Sequence, residues 1–215
     1  MQRPPRVTTE VADPVEWVVL LDEAGVAIGA ADKALVHGPD TPVHLAFSCY
    51  VLDASNRLLV SRRSPDKRTF PGVVTNSLCG HPGPGESLPD AVRRRALAEL
   101  GLDLAGMPLR LVLPRFAYRA EQDGVVENEL CPVFVATVPD GIPLLPNRQE
   151  VAEARWLPWA GYRDGVLGGT LAVSSWSREQ VIELTALGPE PSDWPTAADA
   201  DLPLAARSPR GTAAD

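Results

Sequence analysis

The sequence predicts an α+β fold in which mixed and antiparallel β-sheets are sandwiched by helices. Segments rich in β-branched and aromatic residues dominate the chain, and turn residues separate them. A strongly helical segment follows the first three of these segments, and a second lies near residue 180. This order, mostly antiparallel strands with few helices, is typical of an α+β domain.

Six segments predict strands, and short turns separate two pairs of them. The turn ASN joins the second segment to the third as a hairpin, and the turn residues EQD join the fourth to the fifth. In chain order the predicted strands are EWVVLLD (16–22), VHLAFSCYVLD (43–53), RLLVSRR (57–63), LRLVLPRFAYRA (109–120), GVVENELCPVFVATV (124–138) and ARWLP (154–158).

Two segments predict helices because each has an apolar periodicity between a polar start and a glycine. The first begins near Ser87 or Pro89 and runs through DAVRRRALAEL to Gly101, a favourable terminal residue. The second, SREQVIELTALG, begins at Ser177 as its cap and stops at Gly188.

The 215 residues predict one catalytic domain between two irregular ends. Residues 1–14 are polar and proline-rich, which predicts a loose arm, and the domain spans 15–187. Residues 188–215 are rich in proline, alanine and aspartate and lack periodicity, which predicts a disordered tail.

Composition excludes several classes of protein. The net charge of −8 opposes non-specific binding to nucleic acid. No stretch approaches the ~20 apolar residues of a membrane helix, and the N-terminus lacks an apolar secretory core. The three cysteines, Cys49, Cys79 and Cys131, are widely spaced and do not form a disulfide framework. We therefore expect a soluble, monomeric protein of the cytoplasm.

The three histidines of the chain predict a metal site. His37, His44 and His81 all lie in the first half of the chain, and the near-adjacent Glu127 and Glu129 could meet them in space. Imidazole and carboxylate are common metal ligands, so these side chains would form a five-ligand cage. Alternate residues of a strand share a face, so both glutamates point the same way. Cys79, two residues before His81, would lie at the edge of the cage.

The segment GHPGPGESLPDAVRRRALAELGL (80–102) resembles the Nudix box, a loop–helix–loop that binds a divalent metal and a diphosphate. Glu86, Arg94 and Glu99 have the spacing of that box. Arg95 and Ala98 replace two of its glutamates. Fewer carboxylates should weaken hydrolysis, and a cation should help to hold an intact diphosphate. Arg94 is expected to tie the helix to its loop.

Further segments resemble the type I isopentenyl-diphosphate isomerase family, which has a Nudix-type fold, from about Lys33 to Trp176. The segments that carry this resemblance are VHLAF (43–47), FPGVVTNS (70–77), TNSLCGHP (75–82), FAYRA (116–120) and VENELCPVF (126–134). The resemblance implies interconversion of isopentenyl and dimethylallyl diphosphate through a tertiary carbocation, a step of isoprenoid biosynthesis.

The resemblance also implies a role for each matching residue. The catalytic residues would be Cys79, Glu129 and Tyr118. The metal ligands would be His37, His44, His81, Glu127 and Glu129, holding Mn²⁺, Zn²⁺ or Fe²⁺. Glu99 would bind Mg²⁺ together with the diphosphate. The cations around the diphosphate would be Lys33, Arg63, Lys67 and Arg95. Trp176 would offer its ring to the carbocation. Cys49 and Cys131 would be core residues.

Two other functions remain open at this point. A Nudix hydrolase of nucleoside or prenyl diphosphates would need several box carboxylates and no thiol, whereas this chain has Arg95, Ala98 and Cys79. A non-catalytic module that binds a prenyl diphosphate would lack at least one catalytic group, and all of them have a counterpart here.

Overall fold

The computed structural model describes residues 16–207, which form two sheets, four α-helices and two short 3-10 helices, Asp199–Asp201 and Leu204–Ala206. The strands are β1 Trp17–Leu21, β2 Ala27–Asp32, β3 His44–Leu45, β4 Phe47–Asp53, β5 Arg57–Arg63, β6 Val74–Thr75, β7 Leu78–Gly80, β8 Leu109–Leu113, β9 Ala117–Gln122, β10 Val125–Leu130, β11 Val133–Val138 and β12 Val151–Pro158. The helices are α1 Lys33–Val36, α2 Leu88–Leu100, α3 Trp159–Leu167 and α4 Ser175–Leu187. Within the described residues, no helix is both long and apolar enough to cross a membrane.

A five-stranded sheet has the order β2-β1-β3-β10-β9, and a seven-stranded sheet contains the path β12-β5-β4-β11-β8. The short strands β6 and β7 pair with β5 and β4. Parallel pairs (β3 with β10, β4 with β11) occur among antiparallel ones, so both sheets are mixed. The α+β prediction with mixed sheets is confirmed.

Three of the predicted strands are each divided into two strands. The two halves of each segment belong to different sheets, so these segments connect the sheets. The segment 43–53 breaks at Ala46, 109–120 breaks after Leu113, and 124–138 breaks at Cys131 and Pro132. Each segment leaves one sheet and continues in the other. Proline has no N–H for a sheet ladder, which explains the third break. Backbone bonds between the breaks, such as Ala46 N–H to the Leu130 carbonyl (2.9 Å), hold the crossing points together.

Helices cover both faces of the seven-stranded sheet, as predicted. On β4, Phe47, Cys49 and Val51 face a core that includes α2. The alternate residues Tyr50 and Leu52 face a second core, to which α3 and α4 contribute. This alternation follows from the period of two in a strand. Because both faces of β4 are buried, the strand is apolar almost throughout.

Helix α2 begins and ends as the sequence predicts. The Ser87 hydroxyl accepts the Asp90 N–H (3.2 Å), which caps the first turn. Gly101 has a φ of 61°, and its N–H and that of Leu102 bond to carbonyls of the last turn. A Cβ at Gly101 would lie 2.8 Å from the Leu145 carbonyl oxygen, so the close approach of that loop also requires glycine.

Helix α4 starts earlier than predicted. Its cap is Ser174, whose hydroxyl accepts the N–H of Ser177 (3.3 Å). Ser177, the predicted cap, lies inside the helix and is fully buried. Three serines occur in the segment VSSWS, and propensity alone does not distinguish them. Gly188 follows the last helical residue, as predicted.

Several elements are absent from the sequence prediction. These are β2, α1, β6, β7 and α3, and β12 starts at Val151 rather than at residue 154. Most of them are very short or partly exposed, so their apolar periodicity is weak.

The predicted disorder of the tail is wrong for residues 188–207. Trp194 is 2% exposed, and its ring contacts Trp159 at a centroid distance of 5.0 Å. The Arg110 guanidinium donates to the carbonyls of Trp194 (2.8 Å) and Pro191 (2.7 Å). Apolar burial and backbone hydrogen bonds therefore order a segment that has little regular secondary structure. The predicted arm 1–14 and residues 208–215 lie outside the described residues.

Candidate active site

A cavity of about 450 Å³ opens beside the five-stranded sheet. Its volume is in the usual range for small-molecule sites, roughly 300–1,000 Å³. The predicted site residues that line it are Lys33, His37, Arg63, Lys67, Cys79, His81, Arg95, Tyr118, Glu127, Glu129 and Trp176. His44 and Glu99 are buried and do not themselves line the cavity, but each lies next to a residue that does. The fold therefore gathers residues that lie more than 140 positions apart in the chain.

Four of the five predicted cage residues form a group that could hold a metal ion. In His37, His44, His81 and Glu129, one ligand atom of each side chain lies within 4.8 Å of the others. The short parallel pairing of β3 with β10 places His44 opposite Glu129. The Nε2 atom of His81 is 2.9 Å from Glu129 Oε1.

Backbone carbonyls fix which nitrogen of two of these histidines faces the group. A carbonyl oxygen only accepts, so Nδ1–H of His44 donates to Pro42 (2.9 Å) and Nδ1–H of His37 donates to Lys33 (3.2 Å). The Nε2 lone pairs of both rings are therefore free to bind an ion. The Nε2 atom of His37 is buried and has no hydrogen-bond partner. Buried polar atoms are rarely left unpaired, so this atom fits a metal ligand.

The protonation of the group also suits a metal. Burial lowers the pKa of His81 to about 3. Burial and the neighbouring His44 lower the pKa of His37. Although burial opposes the charged form of Glu129, its contacts with His44 and His81 hold its pKa well below the usual range. Burial opposes the charged form of His44, but its contact with Glu129 raises its pKa. A divalent ion would bind these imidazoles in their neutral form beside the ionised carboxylate of Glu129.

Glu127, the fifth predicted ligand, lies next to this group but outside it. Its Oε2 accepts a hydrogen bond from the Tyr118 hydroxyl (2.9 Å), and the two residues lie on the neighbouring strands β10 and β9. Burial and the charge of Glu129 raise the pKa of Glu127. Burial and both carboxylates raise the pKa of Tyr118, so its phenol stays protonated.

The Cys79 thiol faces the same cavity from β7. Burial raises its pKa to about 12, so the sulfur carries its proton near neutral pH. Cys49 and Cys131 are fully buried in the two cores, as predicted. Trp176 also lines the cavity, and its ring packs against Phe70 (5.1 Å) and Tyr118 (5.4 Å). Its indole N–H is buried without a partner.

The four predicted cations also line the cavity, and three of them form ion pairs with carboxylates. Lys33 pairs with Glu16 (2.6 Å), and Lys67 pairs with Glu150. Arg95 contacts Glu16 (3.0 Å) and Glu150 (3.2 Å) and donates two hydrogen bonds to Glu99 Oε1 (2.9 and 2.7 Å). The fourth cation, Arg63, instead donates to the carbonyls of Thr69 and Phe70.

Sequence reasoning missed Glu16 and Glu150. Each is an isolated glutamate, one at the start of a strand and one in a turn, and no motif marks them. Their role depends on contacts with residues far away in the chain.

Comparison with known proteins identifies the family. The NUDIX domain matches residues 42–168. An isopentenyl-diphosphate Delta-isomerase of Saccharopolyspora erythraea is 54% identical over 193 residues, which cover 89% of this chain and 97% of the relative. An isopentenyl-diphosphate Delta-isomerase of Rhizobium rhizogenes is 47% identical and covers 90% of this chain and 91% of the relative. The chain belongs to the isopentenyl-diphosphate Delta-isomerase family.

Solved structures support the Nudix fold of this isomerase-family protein. A protein of Deinococcus radiodurans has a TM-score of 0.61 at 19% identity and covers 78% of this chain and 98% of its own. A NUDIX hydrolase of Alicyclobacillus acidocaldarius has a TM-score of 0.54 at 17% identity and covers 71% and 95%. At such identities the likeness concerns the fold alone.

The Nudix-box segment of this isomerase-family member is largely an ion-pair scaffold. Arg94 donates two hydrogen bonds of 2.7 Å to Glu86 and a third of 3.0 Å to the His81 carbonyl. It therefore ties α2 to its loop and to a candidate metal ligand, as the sequence predicts. Arg95 lies where the box has a glutamate, and it pairs with Glu99 one helical turn later.

Glu150→Gln is expected to destabilise the protein at neutral pH. Although burial opposes its ionisation, Lys67 and Arg95 lower the pKa of Glu150 to about 2 from its usual 4.5. A depressed carboxyl pKa stabilises the fold above the unfolded value, and this stabilisation disappears as pH falls from 4.5 towards 2. We expect a loss of about 1–3 kcal/mol at pH 7.

Urea unfolding at pH 7 and at pH values below 4.5 measures this effect. The matched control is Glu153→Gln, because Glu153 pairs with Arg62 on an exposed surface (3.4 Å). The control should change stability little at any pH. A Glu150→Gln penalty that is equally large at low pH would contradict the assigned ion pairs.

Proposed function

We propose that this chain interconverts isopentenyl diphosphate and dimethylallyl diphosphate. The observation that carries the proposal is that a protonated thiol, a carboxylate pair and a group of cations face one cavity. Moving the double bond requires a proton to be added at one carbon and another proton to be removed nearby. The family relatives that cover most of this chain bear the name of this activity.

The proton is added by Cys79 in this proposal. In the direction from isopentenyl diphosphate, the thiol proton goes to the terminal methylene carbon, and the electrons of the double bond form the new C–H bond. A tertiary carbocation results at the branched carbon. Loss of a proton from the adjacent methylene, towards the carboxylate of Glu129, forms the new double bond. Support comes from the positions of Cys79 and Glu129 on the same cavity.

Tyr118 and Glu127 assist at the carboxylate side. The Tyr118 hydroxyl donates to Glu127, and the two carboxylates have pKa values shifted in opposite directions. Such a separation is typical of paired groups with different proton-transfer roles. We propose that Tyr118 holds or passes the proton beside Glu129.

The carbocation must be protected from water. The buried ring of Trp176 lines the cavity and is supported by Phe70 and Tyr118. A desolvated aromatic face attracts a cation by about 2 kcal/mol or more. We propose that this ring faces the positive carbon.

The diphosphate lies against Lys33, Arg63, Lys67 and Arg95 in the proposed complex. Charge-assisted contacts to phosphate are strong, and they anchor the substrate without changing the barrier of the proton transfers. On binding, phosphate oxygens would replace the carboxylates that now pair with these cations, or Mg²⁺ would bind those carboxylates. We propose that Glu99 contributes to that Mg²⁺ site.

His37, His44, His81 and Glu129 are proposed to hold a second divalent ion, Mn²⁺ or Zn²⁺, with Glu127 as a fifth ligand. When bound, this ion would fix the Glu129 carboxylate and lower its affinity for protons. Elemental analysis of the purified protein would identify the metal. The three free thiols favour a reducing cytoplasm, and we propose that the protein acts there as a monomer.

The activity is tested by incubating the purified protein with isopentenyl diphosphate, Mg²⁺ and either Mn²⁺ or Zn²⁺. We expect dimethylallyl diphosphate to form with no release of phosphate or pyrophosphate. Release of either anion without an isomerised product would favour a hydrolase instead. Binding without any conversion would indicate a non-catalytic module.

A further inference from the structure

A buried chain of polar side chains runs from the Cys79 sulfur into the core, away from the cavity. The Ser48 hydroxyl lies 3.2 Å from the sulfur, because β4 and β7 pair Ser48 with Cys79. The Gln180 side-chain amide donates to the Ser48 oxygen at 2.8 Å. Ser48 and Gln180 are both fully buried. Buried polar groups destabilise a core unless they are hydrogen-bonded. Apolar packing alone therefore does not account for this row of hydrogen-bonded side chains.

The donors and acceptors of this chain have a defined direction. Gln180 Oε1 accepts from the Tyr50 hydroxyl (3.1 Å), so its amide nitrogen faces Ser48. The Ser48 oxygen already accepts that N–H, so its own proton is available to the Cys79 sulfur at 3.2 Å or to Cys131 at 3.5 Å. Ser48 can therefore donate to Cys79.

A second contact fixes the other side of the sulfur. The Asn76 amide nitrogen donates to the carbonyls of Cys49 (3.1 Å) and Leu78 (3.0 Å), which can only accept. Asn76 Oδ1 must then face the thiol, and it accepts the S–H at 3.1 Å. The sulfur is thus held between an acceptor and a donor, both of them rigidly placed.

Helix α4 connects this arrangement with the aromatic wall of the cavity. Gln180 follows Trp176 by four residues, so the two side chains lie on the same side of the helix one turn apart. The helix therefore positions the Trp176 ring directly and the Cys79 sulfur through Ser48. The cations of the cavity lie on other elements, namely α1, β5 and its following loop, and α2.

We infer that Ser48 and Gln180 are positioning residues for the Cys79 thiol. Gln180 orients the Ser48 hydroxyl. Ser48 in turn fixes the position of the Cys79 sulfur relative to the Trp176 ring and donates a hydrogen bond to the sulfur when the thiol gives up its proton. The inference rests on the proposed isomerase function, because it assigns a purpose to the position of the sulfur. It predicts an effect on the chemical step and little effect on diphosphate binding.

The test compares Ser48→Ala and Gln180→Met with the wild type in the isomerisation assay. We expect kcat to fall by about 10- to 100-fold in each variant, as is typical for a group that orients a reacting residue. We expect KM to stay close to the wild-type value. The double variant should be no slower than Ser48→Ala alone, because Gln180 acts through Ser48.

Tyr162→Phe is the matched control. It removes a buried hydroxyl that bonds to Ser177 on α4 (2.8 Å) and forms no hydrogen bond with Ser48, Gln180 or Cys79. Its link to Gln180 runs only through Ser177 and Tyr50, whose hydroxyls are 3.5 Å apart. Thermal unfolding should show a loss of stability comparable to that of Gln180→Met, while kcat stays near the wild-type value.

Three results would overturn the inference. These are wild-type kcat in folded Ser48→Ala and Gln180→Met, additive losses in the double variant, and an equal loss of kcat in Tyr162→Phe. The third result would assign the effect to helix packing. A wild-type protein that forms no dimethylallyl diphosphate would instead refute the proposed function, so the two failures are distinguishable.

Discussion

Cys79→Ser is expected to lower kcat by about 10²- to 10⁴-fold, the usual contribution of a positioned acid or base. Serine fits the site, but its hydroxyl is a far weaker acid than a thiol. Cys79 lies between Asn76 and Ser48, which can bond to a hydroxyl as well as to a thiol, so the fold should be retained. Steady-state kinetics with isopentenyl diphosphate, together with thermal unfolding, measure both quantities.

Cys49→Ala provides the control for the loss of a thiol. Cys49 is fully buried on the same sheet, and its side chain packs in the core with α2 rather than on the cavity. The control should cost some stability through a small core cavity and leave kcat near the wild-type value. Wild-type turnover in Cys79→Ser would remove the thiol from the mechanism.

Glu129→Gln is expected to lose both the bound metal and nearly all activity. The Glu129 carboxylate accepts from His81 at 2.9 Å and lies 3.5 Å from His44, so it joins two rings of the group. An amide has no charge to hold a divalent ion and cannot accept the substrate proton as a carboxylate does. We expect a fall in kcat of at least about 10²-fold, with the metal content of the purified variant reduced.

Glu121→Gln makes the same chemical change on the adjacent strand β9, where the side chain is exposed. Metal content and turnover should match the wild type. Glu127→Gln adds a second comparison: because Glu127 lies outside the group of four, its loss should reduce metal affinity less than the loss of Glu129. Full metal content in Glu129→Gln would show that the ion is not held by these residues.

The sequence predicted the central parts of the fold because they depend on local chemistry. A cap at Ser87 and a left-handed Gly101 define α2, and apolar runs define the paired strands. The points at which a chain crosses between sheets were not predictable in this way. In the segment 124–138 Pro132 marks a break, but only the pairing with β3 and then with β4 shows that the two halves lie in different sheets.

The tail illustrates the same limit. Residues 188–207 have the composition of a disordered segment, yet Trp194 is buried against Trp159. Composition indicates how much apolar burial a segment offers on average against the conformational entropy that it loses on ordering. Here a few specific buried contacts offset that loss.

The sequence by itself indicated the family and the residue types of the site, because the histidines, the ENE segment and the CGHP segment resemble those of the isomerase family. Only the tertiary structure decided which of them meet: four of the five cage residues converge, while Glu127 turns to Tyr118. It also decided the surroundings of each group, from the carboxylates on the cations to the Ser48–Gln180 chain behind the thiol. The physical reason is that a hydrogen bond or an ion pair acts over a few ångströms of space, and residues far apart in sequence come within that range only when the sheets and helices have packed.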